Sequence, residues 1–175
     1  ILMKGLLPSD QQGIRKVRVG IFGDGEVKYQ APNPEDVESY LDRMFEYDFS
    51  MYPPLVSSSI MHHMIETIHP FIDGNGRIGR FWQSLFLYHK HSPTFKFLPI
   101  ESLIKRSTSD YYNALERTRE VENFSHFVEY ILKVILKCTE EHNAILGKDD
   151  RVRLEDRLEK ARGAFDDNPF SRKQY

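Results

Sequence analysis

The chain has 175 residues, which is enough for one hydrophobic core and an appendage. Its formal net charge of −2 gives no global attraction to nucleic acid or to an anionic membrane, and its single cysteine excludes an internal disulfide. No apolar run reaches the length of about 18 residues that indicates a membrane span, and no signal peptide is visible, so we expect a cytoplasmic protein.

The first third of the chain predicts a helix end, a β-hairpin and an amphipathic helix. Residues 1–7 have the pattern of a helix terminus. Residues 17–29 hold two short β-prone runs on either side of an Asp-Gly pair, which is a hairpin signal. The pair Asn33-Pro34 then supplies a cap and a first-turn proline for a helix with one apolar face.

The rest of the domain predicts helices, and we expect an all-α fold with a small β-hairpin. Apolar residues at helical spacing, broken by proline and glycine, place helices at residues 54–68, 76–90, 100–106, 110–120 and from 123 onward. Charged residues dominate after residue 147. We therefore divide the chain into a domain of residues 1–146 and a tail of residues 147–175, with a charged helix and a linker leading to a missing C-terminal module.

The strongest functional signal lies in the twelve residues from His69 to Arg80. They hold a histidine, an aspartate, two glycines around Asn75, and two arginines, and a helix follows directly. Main-chain N–H groups and the positive end of the helix dipole favour an anion at such a helix N-terminus. Gly74 and Gly76 would let a phosphate approach the backbone closely.

The charged side chains of this loop suit the phosphates of a nucleotide. Arg77 and Arg80 are three residues apart on the helix and can converge on phosphate oxygens. Asp73 is a hard oxygen ligand for Mg²⁺, which reaches phosphates through one or two carboxylates and water. His69, just outside the loop, can take a proton from an attacking hydroxyl. Together these groups indicate phosphoryl or nucleotidyl transfer.

Each of these residues also has a structural interpretation. His69 can be a structural histidine, Asp73 a helix cap, and the two arginines ordinary surface charges. Basic residues at a helix N-terminus oppose its dipole unless an anion compensates, which favours the functional interpretation. A zinc site from His62, Glu66 and His69 would not have the H-E-x-x-H spacing. We expect His62 and Glu66 to buttress the loop instead.

Residues 69–80 resemble the Fic motif, H-x-F-x-[DE]-G-N-G-R-x-x-R, at every specified position. Doc kinases of the same superfamily carry lysine in place of Gly76, so the resemblance is to the nucleotidyl-transferase branch. Similarity extends over about residues 1–142. It implies a Fic-type helical bundle with a β-hairpin flap, acting as an Mg²⁺-dependent transferase that moves AMP from ATP to a Ser, Thr or Tyr hydroxyl of a target protein.

The resemblance also implies roles outside the motif. The hairpin at about residues 17–30 would be the flap that pairs with a target segment through main-chain hydrogen bonds. Its candidate docking residues are Val19, Gly20, Ile21, Val27 and Tyr29. Tyr111 or Tyr112 would stack on the adenine ring. A purely structural hairpin and plain core tyrosines are the alternatives.

Two other functions stay open at this point. Removal of AMP from a modified protein would use the same site with an acidic residue that positions water. A regulatory module that senses nucleotide would belong to a different class, but the full set of motif residues argues against lost catalysis. The family would also allow a homo-oligomer, no membrane contact, and contact with DNA only through the missing C-terminal module.

The resemblance finally raises the question of inhibition. Fic proteins are commonly restrained by a helix with the pattern [ST]-x-x-x-E-[GN], whose Glu pairs with the last arginine of the motif, here Arg80. Residues 118–123 match this pattern, but they fall between two predicted core helices, and we interpret the match as chance. We expect the inhibitory segment upstream of residue 1 or on a separate antitoxin-like partner.

Overall fold

A β-hairpin precedes six α-helices in the computed structural model, which describes residues 12–23, 26–121 and 123–146. The expected all-α fold with a small hairpin is confirmed. The helices are α1 Val37–Glu46, α2 Pro54–Ile68, α3 Asn75–Lys90, α4 Ile100–Arg106, α5 Thr108–Glu120 and α6 Ser125–Leu146. Short 3₁₀ helices cover Pro34–Asp36, Phe49–Met51 and Pro93–Phe97. The helix end expected at residues 1–7 and the charged tail expected after residue 147 lie outside the described residues.

The hairpin pairs strand β1, Gly20–Gly23, with strand β2, Glu26–Gln30, in antiparallel register. Ile21 pairs with Tyr29, and Phe22 pairs with Val27, so a β-bulge interrupts the ladder between them. The Tyr29 hydroxyl donates a 2.7 Å hydrogen bond to the carbonyl oxygen of Thr67 in α2. The hairpin is therefore attached to the C-terminal end of α2.

Helix α2 is the central element, with 13 of its 15 residues buried. It packs against α1, α3 and α6. Three consecutive serines would be costly at this depth, but each hydroxyl donates to a main-chain carbonyl: Ser57 to Phe49, and Ser58 and Ser59 to Leu55, at 2.6, 2.9 and 2.8 Å. These bonds satisfy the buried hydroxyls and let a polar sequence lie in the core.

Helix α6 supplies much of the apolar core, as its periodicity predicts. Its buried positions include Phe127, Ile131 and Ile135, all fully buried. Asn123 caps the helix, because its Oδ1 accepts a 2.8 Å hydrogen bond from the main-chain N–H of Ser125. Asn33 is the N-cap residue of the 3₁₀ helix Pro34–Asp36 that leads into α1, as predicted, but its side chain makes no cap hydrogen bond. No helix within the described residues is long and apolar enough to cross a bilayer.

Helices α2 and α3 approach each other closely at Gly79. A Cβ atom at this position would lie 2.6 Å from Cδ2 and 3.1 Å from Nε2 of His62. His62 is fully buried and its imidazole is enclosed by other side chains, so it has little room to move. The approach therefore depends on the absence of a side chain at residue 79.

We expect Gly79→Ala to lower the free energy of unfolding by about 1–3 kcal/mol, because the added methyl overpacks the α2–α3 contact. Thermal denaturation followed by circular dichroism measures the change. Gly13→Ala is the matched control, since no described heavy atom lies within 4 Å of its added Cβ. If Gly79→Ala were as stable as the wild type or more stable, helix propensity alone would govern this position.

Candidate active site

His69 ends α2 in the left-handed backbone conformation, with φ 50° and ψ 58°. Among the described residues it is the non-glycine with positive φ, a conformation that is unfavourable for a side-chain-bearing residue. Its N–H donates a 2.9 Å hydrogen bond to the carbonyl oxygen of Ile65, which closes the last turn of α2. The chain thus turns sharply at His69 and presents the imidazole beside the loop that follows.

Arg15 holds this turn in place. Its buried guanidinium, 2% exposed, donates from Nε to the carbonyl oxygen of His69 at 2.7 Å, and to those of Pro32 and Val17 at 2.6 and 3.0 Å. Its main-chain N–H donates to the carbonyl oxygen of Pro70 at 2.9 Å. A cation is favoured there because the carbonyl end of the helix dipole is negative.

Sequence reasoning missed Arg15. Its acceptors come from segments that are distant along the chain, so no local spacing marks the residue. From sequence alone, an arginine between a loop and a hairpin is interpreted as a solvated surface charge. Only the tertiary structure shows that main-chain carbonyl groups surround its guanidinium.

The imidazole of His69 is set up as a neutral base. Its Nδ1 lies 3.4 Å from the carbonyl oxygen of Glu66, which can only accept, so Nδ1 carries the hydrogen and Nε2 keeps its lone pair. Burial lowers the pKa of His69, and the charges of Arg15 and Arg119 lower it further, while the Glu66 carbonyl and Asp73 oppose the shift. The free base therefore predominates at neutral pH.

The loop after His69 is closed by Asn75. This side chain, 2% exposed, accepts from the N–H of Phe71 at 2.9 Å and donates to its carbonyl oxygen at 2.8 Å. Gly74 precedes α3 with φ 89°, a conformation suited to glycine. The N–H groups of residues 75–77 then begin the helix without intrahelical acceptors, which makes an anion site. Asn75 shapes this site through its side chain.

Asp73 and Arg77 form the exposed rim of the loop. The carboxylate accepts from the N–H of Gly74 at 2.6 Å and from Arg77 Nη2 at 3.1 Å. Their side chains are 63% and 50% exposed, respectively, so both can reach a ligand. One carboxylate fits Mg²⁺, which in nucleotide sites relies on phosphate oxygens and water for its other ligands. The described residues contain no cluster of three or more His, Cys, Asp or Glu side chains placed around a metal.

A buried polar network lies beneath the loop. His62 Nδ1 lies 2.9 Å from Oε1 of Gln83, and its Nε2 lies 3.2 Å from the hydroxyl of Tyr111. Since the amide oxygen only accepts, Nδ1 donates to it, and Nε2 keeps a lone pair toward the Tyr111 hydroxyl, whose single hydrogen is shared between His62 and Glu66. Burial lowers the pKa of His62 to about 3, which keeps the ring neutral. This network supports α3 from below, in line with the buttressing role expected for His62.

Glu66 lies directly under the first turn of α3. It is 4% exposed, and a Cβ atom at Gly76 would be 3.3 Å from its Oε1. Burial raises the pKa of Glu66, opposed by a hydrogen bond with Tyr111 and by the charges of Arg80 and Arg119. Arg80 Nη2 in turn donates to Glu101 Oε1 at 3.3 Å.

The two candidate adenine-stacking tyrosines have different environments. Tyr111 is 4% exposed, with its ring packed between His62 and Phe127. Tyr112 is 50% exposed. The buried ring of Tyr111 has no face open to an adenine ring, whereas the exposed ring of Tyr112 is accessible to one.

Three of the candidate docking residues of the hairpin, Val19, Gly20 and Tyr29, make defined contacts within the domain. Val19 accepts from the N–H of Ala31 at 3.2 Å, and Gly20 pairs with Gln30. The ring of Tyr29 lies 3.7 Å from the guanidinium carbon of Arg119, in addition to its bond to α2. Tyr29 thus joins the hairpin to the body of the domain and faces inward.

The match to the inhibitory pattern at residues 118–123 lies at the junction of α5 and α6. Thr118 is fully buried, and its Oγ1 accepts from the N–H of Phe127 at 2.9 Å. Asn123 caps α6. Thr118 thus packs in the core and Asn123 caps α6, so both ends of the pattern have structural roles. This supports the interpretation of a chance match.

Residues 1–87 match the model of the Fic/DOC family. This part of the chain is similar to the Fic/DOC family. The crystal structure of a Fic family protein from Desulfovibrio desulfuricans G20 is similar to this chain, with a TM-score of 0.69 and 32% sequence identity. The similarity covers 93% of this chain and 53% of that protein. It therefore extends the Fic fold well past the region that the family model matches.

Curated relatives include the protein adenylyltransferase Fic of Drosophila willistoni, 29% identical over 115 residues, and the protein adenylyltransferase fic-1 of Caenorhabditis elegans, 26% identical over 118 residues. The alignments cover 63% and 67% of this chain. They cover 21% of each relative, so the chain spans about a fifth of the length of these proteins.

We expect Arg15→Ala to destabilise the domain by about 3 kcal/mol or more, because several partly buried carbonyl oxygens lose a charged donor. Chemical denaturation measures the loss. Arg15→Lys should recover only part of it, since a single ammonium cannot reproduce the forked contacts. Arg18→Ala, at an exposed arginine nearby, is the control. A small effect of Arg15→Ala, comparable to that of the control, would contradict the stabilising role of Arg15 at the His69 turn.

We expect the pKa of His69 to lie below the ordinary histidine value of about 6.5. Nuclear magnetic resonance titration of the imidazole, assigned with His69→Ala, measures it. Arg119→Gln should raise this pKa, because it removes one of the cations that lower it. Titration at or above the ordinary value in the wild type would mean that His69 is solvated and not held in the buried turn.

Proposed function

We propose that this chain transfers the AMP group of ATP to a hydroxyl side chain of a target protein. The observation that supports this most is the placement of a neutral histidine base, His69, directly beside an anion site at the N-terminus of α3. Relatives named protein adenylyltransferases, although covered only in part, point to the same reaction. ATP is the nucleotide substrate in this proposal.

The proposed reaction uses the groups in a fixed order. Nε2 of His69 accepts the proton of the target hydroxyl as its oxygen attacks the α-phosphorus. A new oxygen–phosphorus bond forms, the bond to the bridging oxygen breaks, and pyrophosphate leaves. The N–H groups of residues 75–77, with Arg77 and Arg80, stabilise the negative charge that develops on the phosphates.

Magnesium would be held by Asp73. The exposed carboxylate at the rim of the loop fits this hard cation, with phosphate oxygens and water completing its shell. Bound there, Mg²⁺ would neutralise phosphate charge. Asp73 also positions the loop by accepting a hydrogen bond from the N–H of Gly74. Its substitution would therefore affect both Mg²⁺ binding and the loop conformation.

The hairpin would deliver the target. Among the described residues, each hairpin strand pairs with no strand other than its neighbour, so its outer edge could pair with an extended segment through main-chain hydrogen bonds. Arg15 binds both Val17, before β1, and His69, so a segment paired with the hairpin would lie near the base. Tyr112 would offer its exposed ring to adenine.

We expect wild-type protein with Mg²⁺ to transfer label to lysate proteins from ATP labelled at the α-phosphate, and not from ATP labelled at the γ-phosphate. His69→Ala should lose this transfer by at least about a hundredfold, because general base catalysis contributes that much, while ATP binding measured by calorimetry persists. His89→Ala, at an exposed histidine of α3, is the control.

The labelling outcomes separate the alternatives. Label from the γ-phosphate alone would indicate a kinase. ATP binding with no transfer of either label would favour the regulatory nucleotide-sensing module. Loss of label from a protein already carrying AMP would favour the reverse reaction.

A further inference from the structure

Tyr29 of strand β2 contacts the body of the domain at two points. Its hydroxyl donates a 2.7 Å hydrogen bond to the carbonyl oxygen of Thr67, in the last turn of α2. The centre of its ring lies 3.7 Å from the guanidinium carbon of Arg119, in the last turn of α5. A hydrogen bond at one end of the ring and a cation on its face leave this side chain little freedom to move.

Arg119 is itself fixed on the helical core. Nε and Nη2 of its guanidinium are buried, and a cation–π contact strengthens when the cation is desolvated. The neighbouring Thr118 is fully buried and accepts from the N–H of Phe127 at 2.9 Å, which fastens the end of α5 to α6. Burial has the largest effect on the pKa values of Glu66 and His69, but the charge of Arg119 acts to lower both, so the guanidinium lies near the end of α2.

Arg15 and Arg119 attach different parts of the hairpin. The guanidinium of Arg15 donates to the carbonyl oxygens of Val17 and Pro32, which lie just before and just after the two strands. An attachment at the base alone would let the hairpin rock, since β1 and β2 pair only with each other among the described residues. Tyr29 lies within β2, so its contact with Arg119 is a second attachment, which sets the angle of the hairpin over the end of α2.

We propose that Tyr29 and Arg119 are positioning residues for the acceptor protein: their contact holds the hairpin at the angle at which a paired segment presents its hydroxyl to Nε2 of His69. The inference rests on the proposed function, because it takes the hairpin as the site that binds the acceptor. Tyr29 then acts from the inner side of the hairpin and is not a docking residue. A contact that only attached the hairpin would change stability and leave the dependence of transfer on acceptor concentration unchanged.

The test is transfer from ATP labelled at the α-phosphate to lysate proteins, at saturating ATP, over a dilution series of the lysate. Tyr29→Leu and Arg119→Gln should each lower transfer to dilute lysate about five- to thirtyfold, the equivalent of a partly buried cation–π contact. Concentrated lysate should recover most of the loss, because a hairpin that samples other angles binds the acceptor more weakly in proportion to the time lost. ATP affinity measured by calorimetry should stay at the wild-type value. Each variant is assayed well above its own His69 pKa, so that protonation of the base does not contribute.

Conservative and double substitutions divide the contact into its parts. Tyr29→Phe keeps the ring on Arg119 and should retain more transfer than Tyr29→Leu. Arg119→Lys keeps the charge without the planar guanidinium, so its transfer should lie between those of the wild type and Arg119→Gln. The double variant Tyr29→Leu/Arg119→Gln should lose about as much as either single variant, because both changes remove the same contact.

A second tyrosine–arginine contact provides the matched control. The guanidinium carbon of Arg43 lies 5.6 Å from the centre of the Tyr40 ring on α1, away from the hairpin. Arg43→Gln should leave transfer unchanged at every lysate concentration. Hydrogen exchange of the main-chain amides of β1 and β2 adds a readout that needs no acceptor. Tyr29→Leu and Arg119→Gln should speed this exchange by up to about thirtyfold, and Arg43→Gln should not.

The outcomes separate this inference from the proposed function. Wild-type acceptor dependence in both Tyr29→Leu and Arg119→Gln, with transfer by the wild type intact, would overturn the inference alone. Strictly additive losses in the double variant, or an equal loss in Arg43→Gln, would also overturn it. Absence of transfer by the wild type would overturn the proposed function, while faster hairpin exchange in the two variants would still support the contact as the one that positions the hairpin.

Discussion

The carbonyl oxygens of Val17, Pro32 and His69 meet at one buried guanidinium, that of Arg15. A planar group with five donors can join carbonyls from separate segments, which a lysine could not do. This contact stabilises the left-handed turn at His69 and attaches the segments on both sides of the hairpin to the end of α2. The position of His69 relative to the loop and to the hairpin therefore depends on a residue that takes no part in the proposed chemistry.

The second constraint is the close approach of α2 and α3. Gly76 and Gly79 leave room for Glu66 and His62, and these side chains bring a polar network under the anion loop. Burial keeps His62 neutral and raises the pKa of Glu66, while Tyr111, Arg80 and Arg119 oppose the rise at Glu66. Positive charge is concentrated at Arg77 and Arg80, although the chain as a whole carries a net charge of −2. A local field at a helix N-terminus thus decides the site, and global charge does not.

Local sequence signals predicted most of the helices because the signals act within a few residues. Proline starts α2, apolar periodicity defines α6, and Asn123 caps it through its own side chain. Asn33 has the same cap signal, yet its side chain makes no such bond. Proline at the next position already removes one N–H donor, and a 3₁₀ turn tightens the start, so a capping side chain has less to satisfy.

The amino-acid sequence by itself determined the chemistry available at the site: His69, Asp73, the glycines and the arginines are consecutive, and a helix begins among them. The roles proposed for them rest on local geometry at a helix N-terminus, which a short segment encodes. Tertiary structure alone decided which partners they have. Arg15 reaches His69 across 54 residues, Glu101 reaches Arg80 across 21, and the burial that separates Tyr111 from Tyr112 depends on how α5 packs against α6. Such contacts produce no periodic pattern in the sequence, because each joins two residues whose separation along the chain follows no fixed spacing.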